Sequence, residues 1–132
     1  AFNYTRAATN LERMADHAAK VAEMILKCDC TLPADIIDEM SRISPQLMGL
    51  IEDSISSLVL LNSVKANEVI ELSRQLRRQI NTMVSAASSS DEHEDALLRM
   101  VATSIERMLD YIKNIGELAI NLSQTVPYTG AK

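Results

Sequence analysis

The spacing of its apolar side chains constrains this chain most: they recur every three or four residues along four separate segments. That spacing places them on one face of an α-helix. The chain has only three glycines and three prolines in 132 residues, fewer than the turns of a β-rich chain normally need. Aromatic residues make up 3% and Trp is absent, so aliphatic side chains must form the core. We therefore predict an all-α fold.

Four helices are predicted, over residues of about 3–28, 33–62, 65–87 and 91–123. Because short turns join them, we expect an antiparallel four-helix up-down bundle that forms one domain of residues 1–132. A continuous coiled coil is the less favoured alternative, since prolines and a serine run interrupt the heptads. We expect a loop at 88–90 and a frayed tail from residue 126.

Each predicted helix has its own apolar face. The first helix has the stripe Leu11, Met14, Ala15, Ala18, Ala22 and Ile25. The second has Ile36, Ile37, Met40, Ile43, Leu47, Leu50, Ile51, Ile55, Leu58 and Val59, and the third has Ala66, Val69, Leu72, Leu76, Ile80, Met83 and Val84. The fourth has Leu97, Leu98, Val101, Ile105, Met108, Leu109, Ile112, Ile115, Ala119 and Leu122.

Single residues refine these helices. Pro45 interrupts an apolar stripe that stays in phase, so it should kink the second helix without ending it. Asp91 is expected to cap the fourth helix at its N-terminus. Gly116 lies inside that helix and indicates a close approach of another helix.

Charge and composition exclude several classes of protein. A net charge of −5 disfavours direct nucleic-acid binding by this segment. No apolar run approaches the roughly 20 residues of a transmembrane helix, so we expect a cytoplasmic protein. The two cysteines, Cys28 and Cys30, are expected to be free thiols in a reducing compartment. Because the chain begins at Ala1 and not at Met, we expect a fragment of a longer protein.

The chain contains an internal repeat. Residues 8–16 read ATNLERMAD and residues 102–110 read ATSIERMLD, with six of nine positions identical. The match is in phase with both apolar stripes, so chance is a poor explanation. Each copy carries a row of carboxylates on one side of its helix, at the edge of the apolar face. The rows consist of Glu12, Asp16 and Glu23, and of Glu106, Asp110 and Glu117.

Two interpretations of these rows stay open on physical grounds alone. In the first, they are a solvated helix edge whose carboxylates pair with cations such as Arg13 or Arg107. In the second, two helices build a carboxylate metal site, as helical bundles often do. Oxygen ligands suit Mg²⁺, Mn²⁺, Ca²⁺ or iron, and Zn²⁺ can also bind them.

Residues 10–23, NLERMADHAAKVAE, and 104–117, SIERMLDYIKNIGE, resemble the signature of the PhoU family. In that family the signature helix closes each of two three-helix repeats. The resemblance implies that the first helix here ends one repeat and that the other three form the second. It also implies a non-catalytic regulator that restrains phosphate uptake through protein contacts with a phosphate transporter or sensor-kinase machinery, with a homodimer as a further expectation.

The resemblance also implies a metal site. Some family members bind iron or zinc clusters through E/D-x-x-x-D motifs, and other divalent cations are alternatives. Residue by residue, the motif corresponds to Glu12, Asp16, Glu106 and Asp110, with Glu23 and Glu117 as weaker candidates. Two departures disfavour metal: Lys20 replaces the usual Asn near the first pair, and Leu109 replaces a small residue in the second.

Two other functions remain as alternatives. Archaeal relatives can carry an AbrB-type DNA-binding domain before such a module, so the chain could be the dimerisation or effector domain of a transcription regulator that needs no metal. A ferritin-like di-iron enzyme is disfavoured, because neither His17 nor His93 has the Glu three residues before it that such sites use.

Overall fold

A computed structural model describes residues 2–87 and 91–125, with side chains from Tyr4 onward. The described part is all-α. It consists of α1 (Phe2–Lys27), α2 (Ala34–Val59), α3 (Ser63–Ala86) and α4 (Glu92–Thr125). The predicted helix boundaries are correct to within a few residues. The predicted loop at 88–90 and the tail from residue 126 lie outside the described residues.

The helices pack as a three-helix bundle with a fourth helix on its flank. Helices α2, α3 and α4 all contact one another, whereas α1 packs on α4 alone. Helices in contact run in opposite directions, because along each pair the residue number rises on one helix as it falls on the other. The contacts are Asn10–Asn114 and His17–Tyr111 for α1 and α4, Glu39–Gln79 and Asp53–Lys65 for α2 and α3, and Arg77–Asp110 and Ile70–Gly116 for α3 and α4. The predicted up-down order is therefore present.

Helix α4 lies at the centre because every other helix packs on it. Its predicted apolar stripe is buried almost throughout, and Val101, Ile112, Ile115 and Ala119 are fully inaccessible. Gly116 marks the predicted close approach: a Cβ there would lie 3.2 Å from Ile70 Cγ1 of α3.

The predicted stripe of α1 is wrong over its second half. Ala15, Ala18, Ala22 and Ile25 are exposed, not packed in a core. The reason is that α1 has a single neighbouring helix, which can cover only a narrow seam. That seam repeats every seven residues, as expected for two antiparallel helices. Its residues are Ala7, Met14, Val21 and Cys28.

The stripes of α2 and α3 also need correction. Ile37, Val59 and Leu72 lie on exposed surface, although the spacing placed them inward. In α3, Ile70 and Ser73 are buried in addition to the predicted Ala66, Val69, Leu76, Ile80 and Met83. Serine is polar, so it was not counted toward an apolar face.

Buried serines are tolerated here because their hydroxyls have partners within their own helices. Ser73 donates to the Val69 carbonyl at 2.7 Å, and Ser57 donates to the Ser54 carbonyl at 2.7 Å. A satisfied hydroxyl avoids most of the cost of burial. Small side chains at these positions also let the helices approach closely.

The turn between α2 and α3 ends α2 in a Schellman motif. Asn62 N donates to Ser57 O at 2.9 Å and Leu61 N donates to Leu58 O at 3.3 Å. Leu61 occupies the left-handed position, with φ of 49°, that glycine usually takes. The Asn62 side chain then caps α3 by accepting a hydrogen bond from Lys65 N at 3.0 Å.

The predicted cap of α4 is confirmed. Asp91 Oδ1 accepts a hydrogen bond from the backbone N–H of His93 at 2.8 Å. Glu92, Glu94 and Asp95 occupy the first turn, where negative charge complements the helix dipole. Helix α2 continues through Pro45, as predicted.

The prediction for the cysteines is wrong. Cys28 and Cys30 form a disulfide at the end of α1, with their Cα atoms 5.2 Å apart. That separation falls within the range a disulfide spans, so the one intervening residue does not prevent the bond. Both residues are partly buried against the core.

Within the described ranges, no helix combines the length and the apolar character needed to cross a membrane.

Candidate functional site

The carboxylates of the second repeat copy hold an arginine. Arg77 of α3 reaches across to α4, where its guanidinium donates to Asp110 Oδ1 and, at 3.0 Å, to the backbone carbonyl of Glu106. Its second terminal nitrogen lies 3.8 Å from Glu106 Oε2. One guanidinium therefore contacts both acidic residues of this motif.

The local fold explains this arrangement. Arg77 follows the buried Leu76, so it lies at the edge of the face that α3 turns toward α4. Glu106 and Asp110 are one helical turn apart on α4 and project to the same side. All three side chains are half-buried, so salt screens their attraction less than it screens a fully exposed pair.

The first copy has no such partner in the described part of the chain. Glu12 and Asp16 are both exposed and make no ion pair or hydrogen bond there. At about 100° per residue, both lie on the side of α1 opposite Met14, which faces α4. The two copies are therefore alike in sequence but differ in environment.

The two weaker candidates lie apart from these pairs. Glu23 lies 4.0 Å from Lys27, and Glu117 lies 3.9 Å from Lys113. Each is an exposed pair within one helix, which contributes little to stability. The structure therefore does not bring Glu23 or Glu117 into a common site with the motif residues.

A metal fits poorly among the residues described. No group of three or more His, Cys, Asp or Glu side chains converges there in a way that could hold an ion. At the second copy, a cation would also have to displace the guanidinium of Arg77 from between Glu106 and Asp110. Further ligands would have to come from outside the described residues.

The interpretation of the carboxylates as a helix edge paired with cations is right in kind for the second copy but wrong in the residue. The expected partners are Arg13 or Arg107, whereas the partner in the structure is Arg77. The signal was present: Arg77 follows an apolar position on α3, and an antiparallel neighbour brings it level with Glu106. Using that signal requires knowing the helix register, which spacing alone does not provide.

Comparison with known protein families gives a clear result. The PhoU domain model matches residues 37–119, which include most of α2, all of α3 and most of α4. This chain belongs to the PhoU domain family. The PhoU match thus contains Arg77, Glu106 and Asp110, whereas the first carboxylate pair lies before the matched range.

Two curated proteins are similar in sequence to this chain. One is the phosphate-specific transport system accessory protein PhoU homolog of Clostridium acetobutylicum, 24% identical over 131 residues that cover 96% of this chain and 58% of the relative. The other is the uncharacterized protein MJ1641 of Methanocaldococcus jannaschii, 27% identical over 124 residues that cover 91% of this chain and 42% of the relative. The chain thus spans about half the length of these relatives. No solved structure matches it at a significant level.

Proposed function

We propose that this chain is a non-catalytic regulatory module of phosphate uptake that acts by contact with other proteins. The observation that carries the proposal is the PhoU domain match across the three helices of the bundle. The name of the Clostridium relative, an accessory protein of phosphate-specific transport, supports the same role. Its partners would then be the transporter or the sensor-kinase machinery that reports on phosphate.

The exposed side of α1 offers a surface for such contact. Ala15, Ala18, Ala22 and Ile25 form an apolar strip that no described helix covers. Leu26 beside it is 85% exposed. Exposed apolar strips of this kind are typical of surfaces that pack against further protein, including other parts of the same protein.

Metal binding at the two motifs stays a prediction. Glu12 with Asp16 supplies only two carboxylates, and Glu106 with Asp110 already pairs with Arg77. We infer that iron, zinc or another divalent cation would bind at the first pair before the second, because no guanidinium competes there within the described residues. Additional ligands from outside the described residues would complete that site.

The alternative is a dimerisation or effector domain of a larger transcription regulator that needs no metal. The salt bridge of Arg77 favours it over a metal-dependent role, since an arginine neutralises the second motif without an ion. The apolar strip on α1 suits a homodimer as well as it suits a different partner.

Phosphate uptake in cells tests the regulatory role. In one strain the gene of the intact protein would be deleted. In a second strain it would be replaced by the double variant Ala15→Glu with Ala22→Glu, which places charge on the apolar strip. The control is Ala34→Glu with Ala86→Glu, two exposed alanines on other helices with the same charge change. We expect deletion and strip variant to raise phosphate uptake in phosphate-rich medium, and the control to match the wild type. Unchanged uptake after deletion would contradict the regulatory role.

Metal content separates the two versions of the proposal. Mass spectrometry would compare untagged intact protein with the variants Glu12→Gln plus Asp16→Asn and Glu106→Gln plus Asp110→Asn. Stoichiometric metal that disappears only in the first variant supports binding at the first pair. Protein without metal in all three samples, and with normal uptake control, would support the metal-free alternative.

A further inference from the structure

A hollow of about 400 Å³ lies between α1 and α4, and neither carboxylate pair is part of its lining. Its charged and polar lining comes from both helices. The lining includes His17 and Lys20 of α1, and Arg99, Thr103, Ser104 and Arg107 of α4. Met24 and Met100 supply its apolar part. This volume is within the range of small-molecule sites, roughly 300–1,000 Å³.

The charge of the hollow contrasts with that of the chain. The chain carries a net charge of −5, yet three cations and no carboxylate line this space. Arg99 pairs with Asp95 at 2.9 Å. Lys20 and Arg107 make no ion pair with any residue that the structure describes. Two uncompensated cations facing one space favour an anionic occupant.

An unmet hydrogen-bonding group lies beside these cations. His17 Nδ1 is buried and has no hydrogen-bond partner in the described structure. The imidazole instead stacks near Tyr111, with ring centres 5.9 Å apart. A buried nitrogen without a partner is unfavourable. Because His17 lines the hollow, a ligand bound there can offer this imidazole a hydrogen-bond partner.

The remaining polar groups decide what the ligand can be. The Thr103 hydroxyl donates its proton to the Arg99 carbonyl at 2.8 Å, so that proton is not free for a ligand. The charged groups of the lining without an ion pair are the ammonium of Lys20 and the guanidinium of Arg107, and the Ser104 hydroxyl and the His17 imidazole add polar groups. Cationic donors from two helices around one small hollow match a compact oxyanion better than a long acidic peptide.

We propose that the hollow between α1 and α4 binds a compact dianionic oxyanion of the phosphate type, held by Lys20 and Arg107 with His17 also in its lining. Free orthophosphate and the terminal phosphoryl group of a nucleotide share this chemistry. The inference rests on the geometry of α1 and α4 and is independent of the proposed regulatory role. A failure of one therefore leaves the other standing.

Titration calorimetry on the intact protein tests the proposal with three probes: orthophosphate, ATP without added metal, and chloride as the monovalent control. Ionic strength would be held at about 0.15 M, where the Debye length of about 8 Å screens diffuse attraction. The test variant is Lys20→Gln with Arg107→Gln. The matched control is Arg74→Gln with Lys113→Gln, which removes the same charge from exposed side chains elsewhere. Circular dichroism would check that both variants remain helical.

We expect saturable 1:1 binding of orthophosphate or ATP, and none of chloride. The test variant should weaken binding about 100-fold, because each lost charged hydrogen bond is worth about 1.5 kcal/mol or more and 1.4 kcal/mol is tenfold. The control should bind as the wild type does. Binding of orthophosphate identifies the free ion as the source, and binding of ATP alone identifies a phosphoryl group. No saturable binding of either phosphate probe, equal binding of chloride, or equal loss in both variants would overturn the proposal.

Discussion

Gly116 of α4 lies directly against Ile70 of α3: a Cβ on residue 116 would be 3.2 Å from Ile70 Cγ1 and 3.4 Å from the Ala66 carbonyl oxygen. The first distance is shorter than ordinary van der Waals contact. This contact makes the α3–α4 interface sensitive to any side chain at residue 116.

We predict that Gly116→Val destabilises the fold by about 1–3 kcal/mol, the usual range for overpacking a core. The branched side chain must push α3 away from α4. Gly49 of α2 is the matched control, because nothing lies within 4 Å of a Cβ built there. Gly49→Val should therefore stabilise slightly, by about 0.3 kcal/mol, through helix propensity alone. Urea unfolding measures both, and equal effects at the two glycines would contradict the close approach.

The bridge from Arg77 to Glu106 and Asp110 should contribute measurably to stability. We expect Arg77→Met to cost about 1 kcal/mol, which is less than the ~1.5–3 kcal/mol of a well-shielded charged hydrogen bond because all three side chains are half-exposed. Arg74→Met is the control, since Arg74 makes only an exposed pair with Glu71 on its own helix. Chemical denaturation at low and high salt measures the free energy of unfolding of both variants. If Arg77→Met lowers the free energy of unfolding no more than Arg74→Met does, the bridge contributes no more than an exposed ion pair.

Leu61 offers a stabilising substitution. Its φ of 49° strains a leucine but not a glycine. We predict that Leu61→Gly stabilises by about 0.5 kcal/mol, because the relief of strain of about 1–2 kcal/mol outweighs the greater entropy of glycine in the unfolded chain. Leu61→Ala keeps the strain and should give no gain. Thermal unfolding followed by circular dichroism compares the three proteins, and a gain in the alanine variant would argue against the backbone explanation.

Glu39 makes stability depend on pH in the acid range. A hydrogen bond from Gln79 Nε2 to Glu39 Oε1 at 2.7 Å, and then a second one from Arg42, lower the pKa of Glu39 below its ordinary 4.5. A carboxyl with a lowered pKa in the folded state stabilises the fold above its unfolded pKa. That contribution is lost as the pH falls through the folded pKa.

We therefore expect Glu39→Gln to be less stable than the wild type at neutral pH and to approach it below pH 4.5. Urea unfolding across that range is the measurement. Glu68→Gln serves as the control, since Glu68 is exposed and makes no hydrogen bond or ion pair in the described residues. A constant difference between Glu39→Gln and the wild type at every pH would contradict the assignment.

Most of the fold follows from local chemistry. The capping of α4 by Asp91 and the burial of Ile112 and Ile115 were predictable, because a cap and an apolar stripe act within one helix. The exposure of Ala18 was not, since it depends on how many helices surround α1. Spacing reports which face is apolar but not what covers it.

The site was predictable only in part for the same reason. The internal repeat identified Glu106 and Asp110, yet their partner Arg77 lies 33 residues before Asp110 and comes close only through the register of α3 on α4. The hollow at Lys20 and Arg107 likewise joins two helices that are distant in sequence. In the sequence Lys20 is only a departure from a motif, whereas in the structure it lines the same hollow as Arg107.

The attachment of α1 to α4 alone has a consequence for how the molecule opens. Among the described side chains of α1 only Ala7 and Met14 are buried, whereas α4 packs against all three other helices and buries residues along most of its length. Local free energies of opening follow such differences in packing. The amide protons of α1 should therefore exchange with deuterium through a sub-global detachment that leaves the bundle of α2, α3 and α4 intact. The chain would then consist of a stable folding unit and a helix that can dissociate from it.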